Sequence, residues 1–182
     1  MNVFKTVIGY LYKTPRIIDC KIQCASMSTF QRKDIAAAYV QFRPVYPDTV
    51  KDEILKYARS KDTFQHDLAI DLGCGSGQST LMWKDVFTQV IGTDISQTQI
   101  GHAPKDIPNL RFEVGSAETI NADDNSVDLV TIAQAMHWVD TDKAYAEIKR
   151  VLKPGGVFAP FGYGNLYLNK PRATEIISKE VN

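Results

Sequence analysis

Asp71-Leu72-Gly73-Cys74-Gly75-Ser76-Gly77-Gln78 follows the aliphatic run Leu68-Ala69-Ile70 and opens onto a stretch with helix-compatible spacing. A turn with three alternating glycines between a strand and a helix is where a backbone bends sharply and lets a ligand approach it closely. Outward from that turn, short β-branched runs alternate with helical stretches. Strands are expected at residues 68–72, 89–94, 111–114, 127–132 and 157–161, and helices at 78–87, 96–103 and 141–152. The alternation predicts an α/β fold, Rossmann-like and doubly wound, with a mostly parallel sheet of about five strands and helices on both faces. Asp140 is placed to cap the last of these helices, with Ala144, Ile148, Val151 and Leu152 inward, and Lys153-Pro154-Gly155-Gly156 to end it. Upstream, residues 30–42 read as a helix that stops before Pro44. Asp48 or Thr49 then caps a second helix carrying Val50, Ile54, Leu55 and Ala58. Residues 172–181 read as a final helix.

The chain has 182 residues, 44% of them hydrophobic, which suits one globular domain. Twenty-one basic side chains balance twenty-one acidic ones, so no net field draws it to nucleic acid or anionic lipid, and a small-molecule partner fits better. Cys20, Cys24 and Cys74 with His66, His102 and His137 show no metal-ligand spacing, and no metal is expected. Cys20 and Cys24 read as ordinary thiols rather than a redox pair, and a reducing, cytoplasmic setting follows. No apolar run approaches the ~20 residues that span a bilayer, so no membrane partner is expected. Lys5, Lys13, Arg16 and Lys21 outnumber Asp19 in the first 27 residues. That stretch is either a leader or, as the second reading, a mitochondrial presequence. The expected organisation is a leader over 1–27, a helical cap over 28–62 and a ligand-binding core over 63–182.

The glycine spacing separates two ligand classes. Dinucleotide sites use G-x-G-x-x-G, whereas Gly73, Gly75 and Gly77 make G-x-G-x-G. A carboxylate at Asp71 would repel a pyrophosphate and attract an ammonium group. S-adenosylmethionine (SAM) has no phosphate, carries an ammonium and a sulfonium, and ends in a carboxylate suited to the backbone N–H groups near Gln78. Asp94, closing the second strand in Gly92-Thr93-Asp94, is placed to accept both ribose hydroxyl protons, with a helix-capping role over Asp94-Ile95-Ser96 as the alternative.

Asp71 to Gly77, Gly92-Thr93-Asp94, Gly115-Ser116-Ala117-Glu118 and Val151-Leu152-Lys153-Pro154-Gly155-Gly156 together resemble the class I SAM-dependent methyltransferases of the methyltransferase type 11 kind. Tyr39 with Arg43-Pro44-Val45-Tyr46-Pro47, and Gln134-Ala135-Met136-His137-Trp138, are similar to the small-molecule branch that includes trans-aconitate methyltransferase-like proteins. The likeness runs from about Phe30 to Gly164. It implies SAM as cofactor, held by Asp71, Gly73, Gly75, Gly77, Gln78, Asp94 and Ile95, with Ser116, Ala117 and Glu118 lining the adenine pocket and Gln134 under the methionine part. Tyr39, Arg43, His137 and Trp138 would then face the acceptor.

Methyl transfer from a sulfonium is an in-line displacement with an activated donor, so alignment and exclusion of water are the protein's main tasks, worth about 7–11 kcal/mol in favourable systems. A carboxylate acceptor needs no base. A hydroxyl acceptor does, and His137 is the candidate, its other reading being a hydrogen-bonded pocket histidine. Trp138 and Tyr39 offer aromatic faces to a cation, or simply burial, and Arg43 offers either a clamp on a carboxylate or a surface ion pair. The resembled class carries seven strands, the last two a hairpin, whereas five are legible here. The expectation is therefore a truncated C-terminus with the strand at 157–161 as an edge. A SAM-binding module without catalytic activity is the alternative function.

Overall fold

The computed structural model describes residues 46–162. Helix α1 (Asp48–Arg59) leads into β1 (Leu68–Leu72), a 3-10 turn (Thr80–Trp83), β2 (Gln89–Asp94), α2 (Gln97–Gly101), β3 (Leu110–Val114), β4 (Val127–Ala133), a second 3-10 turn (Met136–Trp138), α3 (Thr141–Val151) and β5 (Leu152–Phe161). The expectations for residues 1–27, the helix at 30–42, Cys20, Cys24, Tyr39, Arg43 and the helix at 172–181 lie outside the described residues.

All five strands pair in parallel in the order β3-β2-β1-β4-β5. The chain steps outward from β1 to β3, then returns to lay β4 on the other side of β1. The strand order reverses there, and in open sheets of this kind ligands bind outside the carboxyl ends of the strands at that point. β4 is buried at every position, as a strand covered on both faces must be.

Alternating side chains feed two cores. On one face Ile70, Leu72, Ile91, Val130 and Ile132 pack with Ala144, Ile148 and Val151 of α3. On the other, Ala69, Val90, Leu129, Val157 and Ala159 pack with Ile54, Leu55 and Ala58 of α1 and with Trp83 and Phe87. At the amino ends of the strands, buried Asp128 accepts the backbone N–H groups of Asp67 and Leu68 and the Lys153 ammonium at 3.0–3.1 Å, tying β1, β4 and β5 together.

Four local expectations change. Asp48 is the first helical residue of α1 and Pro47 takes the cap position, with no side-chain cap bond. The helix at 78–87 is a 3-10 turn with further turns, because the Ser79 and Thr80 hydroxyls bond to Asp71 instead of facing solvent. The stretch at 96–103 keeps only five helical residues, capped by Ser96, which accepts the Gln99 N–H. Leu152 is already extended, and the Lys153-Pro154-Gly155-Gly156 stretch lies inside β5 rather than in a turn before it. β5 is an edge strand among the described residues, where proline costs no ladder bond on its outer side.

Candidate functional site

The carboxyl ends of β1, β2, β3 and β4 bring most of the expected residues to one end of the sheet. Gly73, Gly75 and Gly77 all have positive φ, at 64°, 57° and 90°. At Gly73 a Cβ would stand 2.6 Å from the Ala135 Cβ, so the loop lies directly against the chain leaving β4. At Gly77 it would stand 2.6 Å from the Phe112 ring of β3. These contacts leave the loop one course, across the ends of β2 and β3 on one side and β4 on the other. The Cys74 N–H donates to the Thr93 carbonyl at 2.9 Å and the Gly75 N–H to Asp94 Oδ2 at 2.8 Å, which fastens the loop to the end of β2.

The Asp71 carboxylate is fully buried, with Oδ2 accepting the hydroxyls of Ser79 and Thr80 at 2.6 and 2.7 Å and Oδ1 accepting that of Thr131 at 2.7 Å. These bonds brace the glycine loop from beneath, between the turn that follows the loop and the neighbouring strand β4. Sequence reasoning missed these three hydroxyls; the signal was the Ser79-Thr80 pair at the opening of an expected helix. Cys74, also buried, has its thiol pushed well above the ordinary value by burial and then by Asp71 and Asp94. Gln78 follows the loop, half-buried, two residues before the 3-10 turn begins.

Asp94 is half-buried at the end of β2, beside Val114 of β3. Besides the Gly75 N–H it accepts the Ser96 N–H on Oδ1 at 2.8 Å. It therefore shapes both the loop and the entry to α2, and each oxygen retains a lone pair for a further donor. The helix cap itself is Ser96, which Asp94 holds through its backbone N–H. Ile95 and Val114 leave apolar side chains half-exposed, at 54% and 51%, beside this carboxylate.

After β3, Ser116 bridges to Thr119 and closes a small turn around buried Ala117. The Glu118 N–H donates to Ser116 Oγ at 3.1 Å, the Ser116 hydroxyl donates to one Glu118 carboxylate oxygen, and the other accepts the Asp140 N–H at 2.8 Å. The Ser116 hydroxyl and the Asp140 amide hold this carboxyl below the ordinary range. The Glu118 carboxylate thus bonds to its own turn and to the cap of α3. Glu147 and Arg150 were not singled out in the sequence. They form a bidentate ion pair that also holds the backbone of Ile120 and Ala122, anchoring the rear of the same loop to α3.

Gln134 leaves β4 in the left-handed region, φ 59°, a strained place for a non-glycine residue. Its N–H donates to the Phe161 carbonyl at 3.0 Å, and its side-chain amide lies close against Gly162, where a Cβ would stand 2.9–3.2 Å from the amide atoms. His137 and Trp138 follow on the second 3-10 turn, both exposed, with ring centroids 4.8 Å apart. Tyr46 packs its ring on Phe161 at 5.0 Å, which brings the chain entering α1 to this same end of β5. Among the described residues no cluster of metal-ligating side chains occurs, and no helix is long and apolar enough to cross a membrane.

Comparison with known proteins gives one consistent result. Residues 70–159 match the family model described as a methyltransferase domain. A protein of Dictyostelium discoideum named as a methyltransferase is 36% identical over 146 residues, covering 80% of this chain and 54% of that protein. A protein of Saccharomyces cerevisiae named as an S-adenosylmethionine-dependent methyltransferase is 29% identical over 135 residues, covering 70% of this chain and 45% of its own. The chain thus spans about half the length of these curated relatives. A solved structure described as a type II methyltransferase from Anaeromyxobacter dehalogenans superposes with a TM-score of 0.63 at 34% identity, covering 76% of this chain and 56% of that one.

Proposed function

Since its residues 70–159 place this chain in the methyltransferase domain family, we propose that it is a SAM-dependent methyltransferase acting on a small molecule, a carboxylic acid or a hydroxyl compound. The observation that carries the reading is the bond from the Gly75 N–H to Asp94. It puts a cradle of positive-φ glycines and a carboxylate with spare acceptor capacity in direct contact, and Ile95 and Val114 add apolar surface beside them. A nucleoside with no phosphate suits that combination: Asp94 would accept from its ribose hydroxyls, and Ile95 with the turn at Ser116, Ala117 and Glu118 would hold the base. The residues present therefore fit SAM.

SAM, when bound, supplies a methyl group already activated by the adjoining sulfonium. The chain's residues then orient and shield. The backbone from Gly73 to Gln78 and the amide of Gln134 bracket the amino-acid end, and Asp71 keeps the loop in shape from below. Tyr39 and Arg43, which lie outside the described residues, are assigned to the acceptor side together with the exposed His137 and Trp138: Arg43 would meet a carboxylate and the aromatic rings would exclude water. For a hydroxyl acceptor His137 takes the proton; for a carboxylate no base is needed. The remaining organisation belongs to the same proposal: a leader over 1–27, a helical cap over 28–62, a core from 63 onward and a cytoplasmic setting.

The test is incubation with labelled SAM and a cell extract, followed by identification of the labelled species. A labelled small-molecule methyl ester or methyl ether supports the proposal. Saturable SAM binding without transfer supports the second reading, a SAM-binding module. Binding of NAD but not SAM overturns both.

A further inference from the structure

We infer that Glu118 is a positioning residue that couples the nucleobase end of the cofactor site to the His137–Trp138 segment on the acceptor side. The inference rests on the SAM reading above and goes beyond it, because Glu118 acts through Asp140.

The geometry places one carboxylate between two functional segments. One Glu118 oxygen takes the hydroxyl of Ser116, in the turn expected against the base. The other takes the N–H of Asp140, the cap of α3, at 2.8 Å. The rear of the base loop is held separately, by Glu147 on the Ile120 N–H at 2.9 Å and Arg150 on the Ile120 and Ala122 carbonyls at 2.8 and 2.9 Å. A ligand pressing on the front of the loop therefore acts against Glu118, while its rear stays with the body of α3.

The segment that would respond hangs between two fixed points. Upstream, Gln134 is bonded to Phe161 across the sheet. Downstream, Asp140 caps α3 with its side chain on the Lys143 N–H. Between them lie Ala135 to Val139, including the 3-10 turn and its bond from the Trp138 N–H to the Ala135 carbonyl at 3.0 Å. Glu118 sets the backbone position of the downstream point. Hydrogen bonds to the ionised form keep the Glu118 carboxyl below its ordinary range, so it holds Asp140 as a carboxylate at neutral pH.

The two tryptophans of the chain provide the readout. Trp83 is fully buried, whereas Trp138 is 39% exposed, so acrylamide quenching of the full-length protein reads Trp138. SAM is expected to lower the quenching of the wild type. Glu118→Ala removes the carboxylate's bonds to the Ser116 hydroxyl and the Asp140 N–H, and at SAM concentrations that saturate the variant the quenching is expected no longer to respond. Glu118→Gln restores the response, because its amide oxygen accepts the Asp140 N–H and its amide nitrogen donates to Ser116. Should the alanine variant fail to fold, Glu118→Asp, one methylene short of Asp140, is expected to lose the response in its place. An equal SAM response in Glu118→Ala or Glu118→Asp, or none in a wild type that binds SAM, overturns the coupling. A wild type that does not bind SAM overturns the SAM reading and the coupling with it.

Discussion

Replacing Asp71 by Asn separates a carboxylate that braces the loop from one that greets the ligand. Three hydroxyls converge on the two Asp71 oxygens at 2.6–2.7 Å inside a fully buried site. An Asn keeps a single acceptor oxygen. Turned toward Thr131 it presents an NH₂ to Ser79 and Thr80; turned the other way it presents the NH₂ to Thr131. Either orientation loses at least one charge-assisted bond, at about 1.5–3 kcal/mol. Relief of the buried charge offsets part of this and a second lost bond adds to it, so a net loss of about 2 kcal/mol is expected. Urea denaturation with an unchanged slope measures the loss, and calorimetric titration of the folded variant measures SAM affinity. The expected pair of results is lowered stability with a dissociation constant changed by less than about tenfold. Unchanged stability with SAM affinity collapsed by more than that would put the carboxylate against the ligand and refute the bracing role.

Gly77→Ala places a methyl 2.6 Å from the Phe112 ring at a φ of 90°, and overpacking with backbone strain is expected to cost about 2–4 kcal/mol; a denaturation midpoint matching wild type would show that the loop does not lie on β3. Glu147 is held at about 2, from 4.5, by its hydrogen bond to Arg150. Because the folded value is depressed, this contribution is complete above about pH 4.5 and is lost as pH falls toward 2. Glu147→Gln should therefore lower stability at neutral pH by about 1–2 kcal/mol and flatten the acid limb of a stability–pH curve; an acid limb as steep as wild type's assigns that loss to other carboxylates.

The elements legible in the sequence are those fixed by burial on both faces. β1 and β2 run from Leu68 to Leu72 and from Gln89 to Asp94 as their apolar runs imply, because short buried strands have few other places to go. The cap of α3 by Asp140 was legible for a local reason, a side chain satisfying the first N–H groups of its own helix. The helix expected at 78–87 was not, because its opening hydroxyls are drawn to a carboxylate eight and nine residues earlier in the chain, a long-range bond that periodicity does not register. Pro154-Gly155-Gly156 read as a turn because proline and glycine weaken a central strand, whereas among the described residues β5 is an edge. At the site, the glycine loop and Asp94 were legible as a pair, since both follow from where strands end. The inward aim of Asp71 and the bond from Glu118 to Asp140 depend on which side of the sheet a loop crosses, and that is set by packing.

The account depends most on the cradle between the glycine loop and Asp94, and titration of SAM into the wild type and Asp94→Ala tests it most directly. Saturable wild-type binding that the substitution weakens by about 1–3 kcal/mol, as for loss of hydrogen bonds to an ionised acceptor, is the predicted result. A dissociation constant that the substitution leaves untouched, or a wild type that takes up no SAM, would contradict it.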